Sequence, residues 1–234
     1  MKNPEAVIFD MDGVLVDSEP IHCEIERRLF SKLGIAVPEE THRSYLGTAT
    51  DFMYTDIKTR FDISFTISEL MEIDEAFRCD YFDRTAVFIL NEGVLDLLKE
   101  IKLAGLKLAV ATSSSPELVK IVLNRCEIAS FFDAVVTASE AGKSKPEADV
   151  YLLAAHKIGV EPANCIVFED SPNGISAAKG AGMPCIAFQT DSVGIKELSK
   201  ADFVVRTFRG IGFDRLIEIA QTSAIELSKS QNHL

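Results

Sequence analysis

Ala6-Val7-Ile8-Phe9-Asp10-Met11-Asp12-Gly13-Val14-Leu15-Val16-Asp17-Ser18 is the segment on which the fold turns. Four apolar residues in a row, without alternation, fit a strand covered on both faces, as in a parallel sheet flanked by helices. Two carboxylates one residue apart close that strand, and a glycine follows at once. Asp-Gly pairs also end strands in ordinary turns. An unpaired charge at the end of a buried strand is costly, however, so carboxylates placed there commonly hold a cation or move a proton.

Outward from this segment the same apolar signature recurs at Leu106–Ala111, Ala134–Thr137, Cys165–Phe168, Cys185–Phe188 and Phe203–Val205. Helical patterns separate these runs. Val94, Leu97, Leu98 and Ile101 keep the i, i+3, i+4, i+7 spacing, and Gly105 stands where a helix C-cap falls. Ser115-Pro116 and Ser171-Pro172 each read as an N-cap with proline at the first helical position. This order predicts an α/β fold, a doubly wound, Rossmann-like parallel sheet with right-handed crossovers. Residues 17–87 break the rhythm, since they contain no convincing strand. Ile21, Ile25, Leu29 and Leu33 step by four toward Gly34, and Pro38–Leu46, Asp51–Arg60 and Ser68–Phe82 also read as helices. The expected organisation is therefore a core of residues 1–16 and 88–234, with a small helical cap, 17–87, inserted after the first strand and concerned with substrate selectivity. Residues after Ser223 turn polar and are expected to fray.

Composition narrows the functional classes. With 234 residues, 47% hydrophobic and 26% charged, the chain has ample material for a core. A formal net charge of −12 argues against nucleic-acid and anionic-membrane partners, which call for a basic face. Cys23, Cys79, Cys126, Cys165 and Cys185 are widely spaced with no C-x-x-C, as in reduced thiols rather than a disulfide frame or zinc site. No signal-peptide or membrane-length apolar run is present, so a cytoplasmic protein is expected; a monomer is its expected state.

In an open parallel sheet, ligands bind beyond the carboxyl ends of the strands. Asp10 and Asp12 follow the first run, Thr112-Ser113-Ser114-Ser115 the second, Lys143-Ser144-Lys145-Pro146 lies beyond the third, and Glu169-Asp170-Ser171 follows the fourth. Singly, each has an ordinary explanation as a cap, a turn or a helix-dipole partner. Together they describe a chemistry. Asp10, Glu169 and Asp170 suit a hard divalent cation, Mg2+ above all. Thr112 and the Ser113 amide suit a phosphate oxygen, with Ser114 beside them, and Lys145 offsets the repulsion between carboxylates and a phosphorylated substrate. Asp10 is then placed to attack phosphorus and form an aspartyl-phosphate, while Asp12 protonates the leaving oxygen and later deprotonates a water.

Asp10-x-Asp12-Gly13-Val14, Thr112-Ser113, Lys145-Pro146 and Glu169-Asp170-Ser171-x-x-Gly174-Ile175 resemble, in order and spacing, the four motifs of the haloacid dehalogenase superfamily, in its beta-phosphoglucomutase-like branch. The resemblance covers residues 5–220. It implies a Rossmann-like core, a helical cap, and Mg2+-dependent phosphoryl transfer in which Asp10 is nucleophile and Asp12 acid/base. By the same resemblance Thr112 and Lys145 stabilise phosphate, and the metal is held by Asp10, the Asp12 carbonyl and Asp170, with Glu169 a fourth contributor. In the cap, His22 falls where the branch carries a hinge histidine. Thr50 stands where the mutase pattern has an arginine for a distal phosphate, and for Lys58, Arg60 and Arg78 a surface role is expected. Losing that cation favours a phosphatase acting on a small phosphorylated metabolite such as a sugar phosphate. A phosphomutase using the same Asp10 and Asp12 is the alternative, and an inactive protein that binds phosphorylated ligands is the third.

Overall fold

The structure is a computed structural model that describes residues 3–45, 50–61, 63–84, 88–191, 193–219 and 221–222. The expected fraying after Ser223 falls outside the described residues. The chain divides into two compact units, one of Met1–Asp17 with Phe88–Leu234 and the other of Ser18–Val87.

In the larger unit the first strand, β1 (Ala6–Phe9), lies fully buried at the middle of a six-stranded sheet. The others are β2 (Lys107–Thr112), β3 (Ala134–Thr137), β4 (Cys165–Glu169), β5 (Cys185–Phe188) and β6 (Phe203–Val205). Their order is β3-β2-β1-β4-β5-β6 and every pairing is parallel. The chain lays down one half of the sheet on one side of β1, then crosses back and builds the other half from β4. The switch point therefore lies between β1 and β4, and a crevice opens there beyond the strand ends. Register places Phe9 beside Phe168, and the Asp10 N–H donates to the Phe168 carbonyl at 2.9 Å. Asp10 and Glu169 are thereby set next to each other by the backbone itself.

The small unit contains α1 (Glu19–Lys32), α2 (Glu39–Arg43), α3 (Thr50–Phe61) and α4 (Ile67–Arg84). The larger unit contains α5 (Val94–Leu103), α6 (Pro116–Arg125), α7 (Ala138–Ala141), α8 (Asp149–Ile158) and α9 (Pro172–Gly180). Val94, Leu97, Leu98 and Ile101 form the buried stripe of α5, which packs on β2. Truncating a buried leucine such as Leu98 to alanine costs about 2–5 kcal/mol. On one face of the sheet Ile8, Ala109 and Val167 pack with Val150, Tyr151 and Ala154 of α8 and Ile175 of α9. Phe9 stacks on Phe168 with ring centroids 5.0 Å apart, and Phe208 meets Phe168 edge-on at 5.2 Å. Ser115 and Ser171 cap α6 and α9, each with its hydroxyl accepting a backbone N–H and proline following.

Strand β4 and helices α3 and α4 run one or two residues past the expected bounds, and two other elements begin late for identifiable reasons. Strand β2 begins at Lys107 rather than Leu106, because the Leu106 N–H is taken by the Ile101 carbonyl (3.2 Å) in closing α5 over Gly105. Helix α2 is shorter than expected, since Pro38 is extended (ψ 144°) and Ser44 already caps its end.

The small unit has its own apolar core of Leu29, Phe30, Met53, Tyr54, Ile57 and Leu70, with α4 packed on α1 and α3. Arg78 of α4 corrects the expectation of a surface role. It is only 8% exposed and pairs with Asp74 at 2.6 Å and Glu26 at 2.9 Å. Glu26 in turn meets His42 Nε2 at 2.8 Å. Lys58 also turns inward, donating to the carbonyls of Ile63 (2.9 Å) and Phe65 (2.5 Å), whereas Arg60 is exposed and pairs with Asp56. Among the described residues no helix is long and apolar enough to cross a membrane.

Candidate active site

Three charged groups meet in direct contact at the switch point. The Lys145 ammonium donates to Asp10 Oδ1 at 2.6 Å, to Glu169 Oε1 at 2.5 Å and to the Ala111 carbonyl at 3.2 Å. These three bonds use all the protons of the ammonium. Lys145 follows α7 and opens the cis Lys145-Pro146 peptide, while Asp10 directly follows β1 and Glu169 ends β4. Three segments remote in sequence thus converge on one nitrogen.

Glu169 is fully buried and saturated with donors. Oε1 accepts from Lys145 and from the Tyr151 hydroxyl at 2.8 Å. Oε2 accepts from the N–H groups of Asp170 and Ser171, both at 2.9 Å, and from the Ser171 hydroxyl at 3.1 Å. Asp170 follows directly, and one carboxylate oxygen from each of Asp10, Glu169 and Asp170 lies within 4.8 Å of the others. An all-oxygen donor set of this kind fits a hard divalent cation. The turn after β1 is shaped around it. Gly13 has φ +75°, and a β-carbon there would fall 2.0 Å from Asp170 Oδ2, so only glycine admits the Asp170 side chain. Asn91 holds the same turn from behind, donating to the carbonyls of Gly13 and Val14 at 2.8 Å each.

The electrostatics follow from one cation among several acids. Burial pushes the Asp10 carboxyl up to about 7, against the pull of Lys145 and with help from Glu169 and Asp12. Asp170 is likewise raised, by burial first and then by Glu169 and Asp10. Burial opposes the charge on Glu169 too, but Lys145 and the converging donors outweigh it and hold that carboxyl low. Burial also works against the Lys145 ammonium, and Asp10 and Glu169 more than compensate, so its proton is held more tightly than usual. The site carries a surplus of negative charge that a divalent cation would neutralise.

Asp12 sits in a different setting. It is partly exposed, and its Oδ2 accepts the Ser114 hydroxyl at 2.6 Å. The Ser114 N–H donates to Thr112 Oγ1 at 3.1 Å, and Thr112 is 1% exposed. Ser113 is exposed in the bend before α6, so it and Ser114 precede the cap Ser115 rather than belonging to the first helical turn. Asp10, Asp12, Thr112, Ser114, Lys145, Glu169 and Asp170 are thus joined through the larger unit. His22 and Thr50 belong to the small unit. There His22 Nδ1 is 2.5 Å from an Arg78 guanidinium nitrogen and its ring lies 5.4 Å from that of Phe82, while Thr50 begins α3. Tyr151 was missed by sequence reasoning because it reads as one more apolar residue of α8, beside Val150, Ala154 and Ile158.

The haloacid dehalogenase-like hydrolase family matches residues 7–188, and the chain belongs to it. A phosphorylated carbohydrates phosphatase of Thermotoga maritima is 32% identical over 179 residues, 76% of this chain and 82% of the relative. The crystal structure of CbbY from Rhodobacter sphaeroides in complex with phosphate superposes with a TM-score of 0.79 at 28% identity, covering 89% of this chain and 96% of that one. Beta-phosphoglucomutase from Clostridium difficile gives 0.78 at 25% identity over 95% and 99%. The fold is the Rossmann-like α/β fold of this family, and the chain is a phosphoric monoester hydrolase of the haloacid dehalogenase type.

Proposed function

We propose that the chain is a Mg2+-dependent phosphatase that hydrolyses a small phosphorylated sugar through an aspartyl-phosphate on Asp10. The carrying observation is the buried meeting of Asp10, Glu169 and Lys145 beside Asp170, a constellation whose charges suit a cation and a phosphoryl group together. Asp10, Asp170 and the Asp12 carbonyl would hold Mg2+, with Glu169 behind them, and the ion would supply positive charge against the phosphoryl oxygens. Thr112 and Lys145 bind those oxygens, with Ser113 and Ser114 alongside. An Asp10 carboxylate oxygen attacks phosphorus as the ester P–O bond breaks, and Asp12 gives its proton to the departing sugar oxygen. Asp12 then takes a proton from water, which attacks the aspartyl-phosphate and releases phosphate and free Asp10. Such proton transfers contribute about 10²–10⁴ in rate. The small unit is the substrate-selective cap in this reading, with His22 and Thr50 among its contacts. The kinship with a phosphorylated carbohydrates phosphatase supports a sugar phosphate as substrate.

The test is a phosphorus NMR time course with Mg2+ and a panel of hexose, pentose and polyol phosphates, including beta-glucose 1-phosphate with a bisphosphate primer. Free phosphate should accumulate with wild type and not with Asp10→Asn. An isomeric sugar phosphate without free phosphate would make the chain a mutase. Tight binding without turnover would make it an inactive binder.

A further inference from the structure

We infer that Tyr151 is a positioning residue for the phosphoryl-transfer site, fixing Lys145 between Asp10 and Glu169 through two contacts of one side chain. The inference rests on the phosphatase reading above. Tyr151 lies on α8, is 0% exposed, and reaches the site from beneath the sheet end. Its hydroxyl donates to Glu169 Oε1 at 2.8 Å, the same oxygen that Lys145 approaches at 2.5 Å. Its ring faces the same ammonium, with Nζ 5.1 Å from the ring centroid, which is within cation–π range.

The hydrogen-bond arithmetic shows what these contacts do. Lys145 has three protons and three acceptors, Asp10, Ala111 and Glu169. Its place is therefore set by the balance of pull between the two carboxylates. Glu169 Oε1 divides its acceptor capacity between Lys145 and the Tyr151 hydroxyl. Removing the hydroxyl returns that capacity to Lys145, which is drawn toward Glu169 and away from Asp10 and from any phosphoryl group bound beside it. Packing alone does not account for this geometry, because a phenylalanine would fill the same space.

Tyr151→Phe in the full-length protein tests the inference. The Lys145 ammonium resonance in ¹H–¹⁵N spectra of the metal-free protein should move and exchange faster with water. Calorimetric affinity for inorganic phosphate in Mg2+ should fall about three- to tenfold, as for one hydrogen bond to a charged group felt at second hand. KM should carry more of the change than kcat. Tyr151→Leu, which removes the ring as well, should go further on each readout. A lowered urea midpoint with the Lys145 resonance and phosphate affinity unchanged would overturn the inference, since Tyr151 would then only pack. In wild type itself the Tyr151 hydroxyl proton should exchange slowly and show cross-peaks to the Lys145 methylenes. Their absence would overturn the inference even if neither variant folds. Movement of the Lys145 resonance in a chain that neither binds nor releases phosphate would leave Tyr151 in this role and sink the phosphatase reading instead.

Discussion

Gly174→Ala is a change of one methyl group that the structure does not accommodate. Gly174 lies buried in the first turn of α9, where a β-carbon would stand 1.7 Å from Glu169 Oε1, 1.8 Å from its carboxyl carbon and 2.3 Å from Oε2. The helix does not readily yield, because the Gly174 N–H is the donor to the Ser171 cap at 3.0 Å. The carboxylate must therefore travel well over an ångström, and its five bonds of 2.5 to 3.1 Å break with that movement. Lys145, the Tyr151 hydroxyl and two backbone N–H groups lose a partner in a dry setting. Breaking a buried ion pair in this way costs about 3–5 kcal/mol, a large part of the ~5–15 kcal/mol that holds a domain together. With a urea slope of about 2–3 kcal/mol per molar, the unfolding midpoint should fall by roughly 1–2.5 M. A midpoint equal to wild type would refute the reasoning. Attribution to Glu169 has its own check. On a Glu169→Ala background the methyl finds room, so Gly174→Ala should add less than about 1 kcal/mol there. A full additional loss would place the clash elsewhere.

Gly13→Ala puts a side chain at φ +75° and 2.0 Å from Asp170 Oδ2, so calorimetry should show Mg2+ affinity reduced at least about tenfold; unchanged affinity would remove Asp170 from the metal set. Asp12→Asn should cost about 10²–10⁴ in rate on sugar phosphates and far less on aryl phosphates with good leaving groups. Equal losses on both would refute the acid role. Asp10→Asn should alter the pH dependence of stability in the metal-free protein. Because burial raises this carboxyl from 3.8 to about 7, the folded state holds its proton more tightly than the unfolded chain does, and stability is lost as pH rises from about 4 through about 7. Urea midpoints of wild type and variant should therefore converge near pH 4, with the variant the more stable at pH 8; a gap that does not change with pH would refute this.

Much of the core was legible because its strands are buried on both faces. Runs such as Ala6–Phe9 and Cys185–Phe188 carry that burial in residue type alone. The polar residues at strand ends could likewise be placed together, since a doubly wound sheet brings those ends to one crevice. Arg78 escaped for the opposite reason. Leu70, Asp74, Arg78 and Phe82 step by four along the buried side of α4, but two members are charged, so by residue type the stripe reads as a solvated face. An Asp–Arg pair at i, i+4 between apolar residues of the same spacing was the signal available. Tyr151 escaped because an aromatic ring in an apolar stripe says nothing about where its hydroxyl goes. The crowding at Gly13 and Gly174 was invisible for a related reason, since each glycine answers to a carboxylate it meets only in the folded chain.

The proposed chemistry asks for two aspartates in opposite protonation states two residues apart, and the fold places the two in different settings. Asp10 continues β1, with its backbone still bonded to β4, and lies 7% exposed against the Lys145 ammonium. The Lys145 ammonium pulls this carboxyl toward its anion, although burial still raises it to about 7. One residue later the chain leaves the sheet: Met11 is buried, and its carbonyl accepts the N–H groups of Leu15 (2.9 Å) and Val16 (3.2 Å) in a tight turn. Asp12 is therefore the more exposed of the two, and its Oδ2 accepts the Ser114 hydroxyl at 2.6 Å. In the proposed mechanism Asp12 is the member of the pair that carries a proton to the leaving group and takes one back from water. The division of labour proposed for the two acids thus follows the point at which the chain turns out of the sheet.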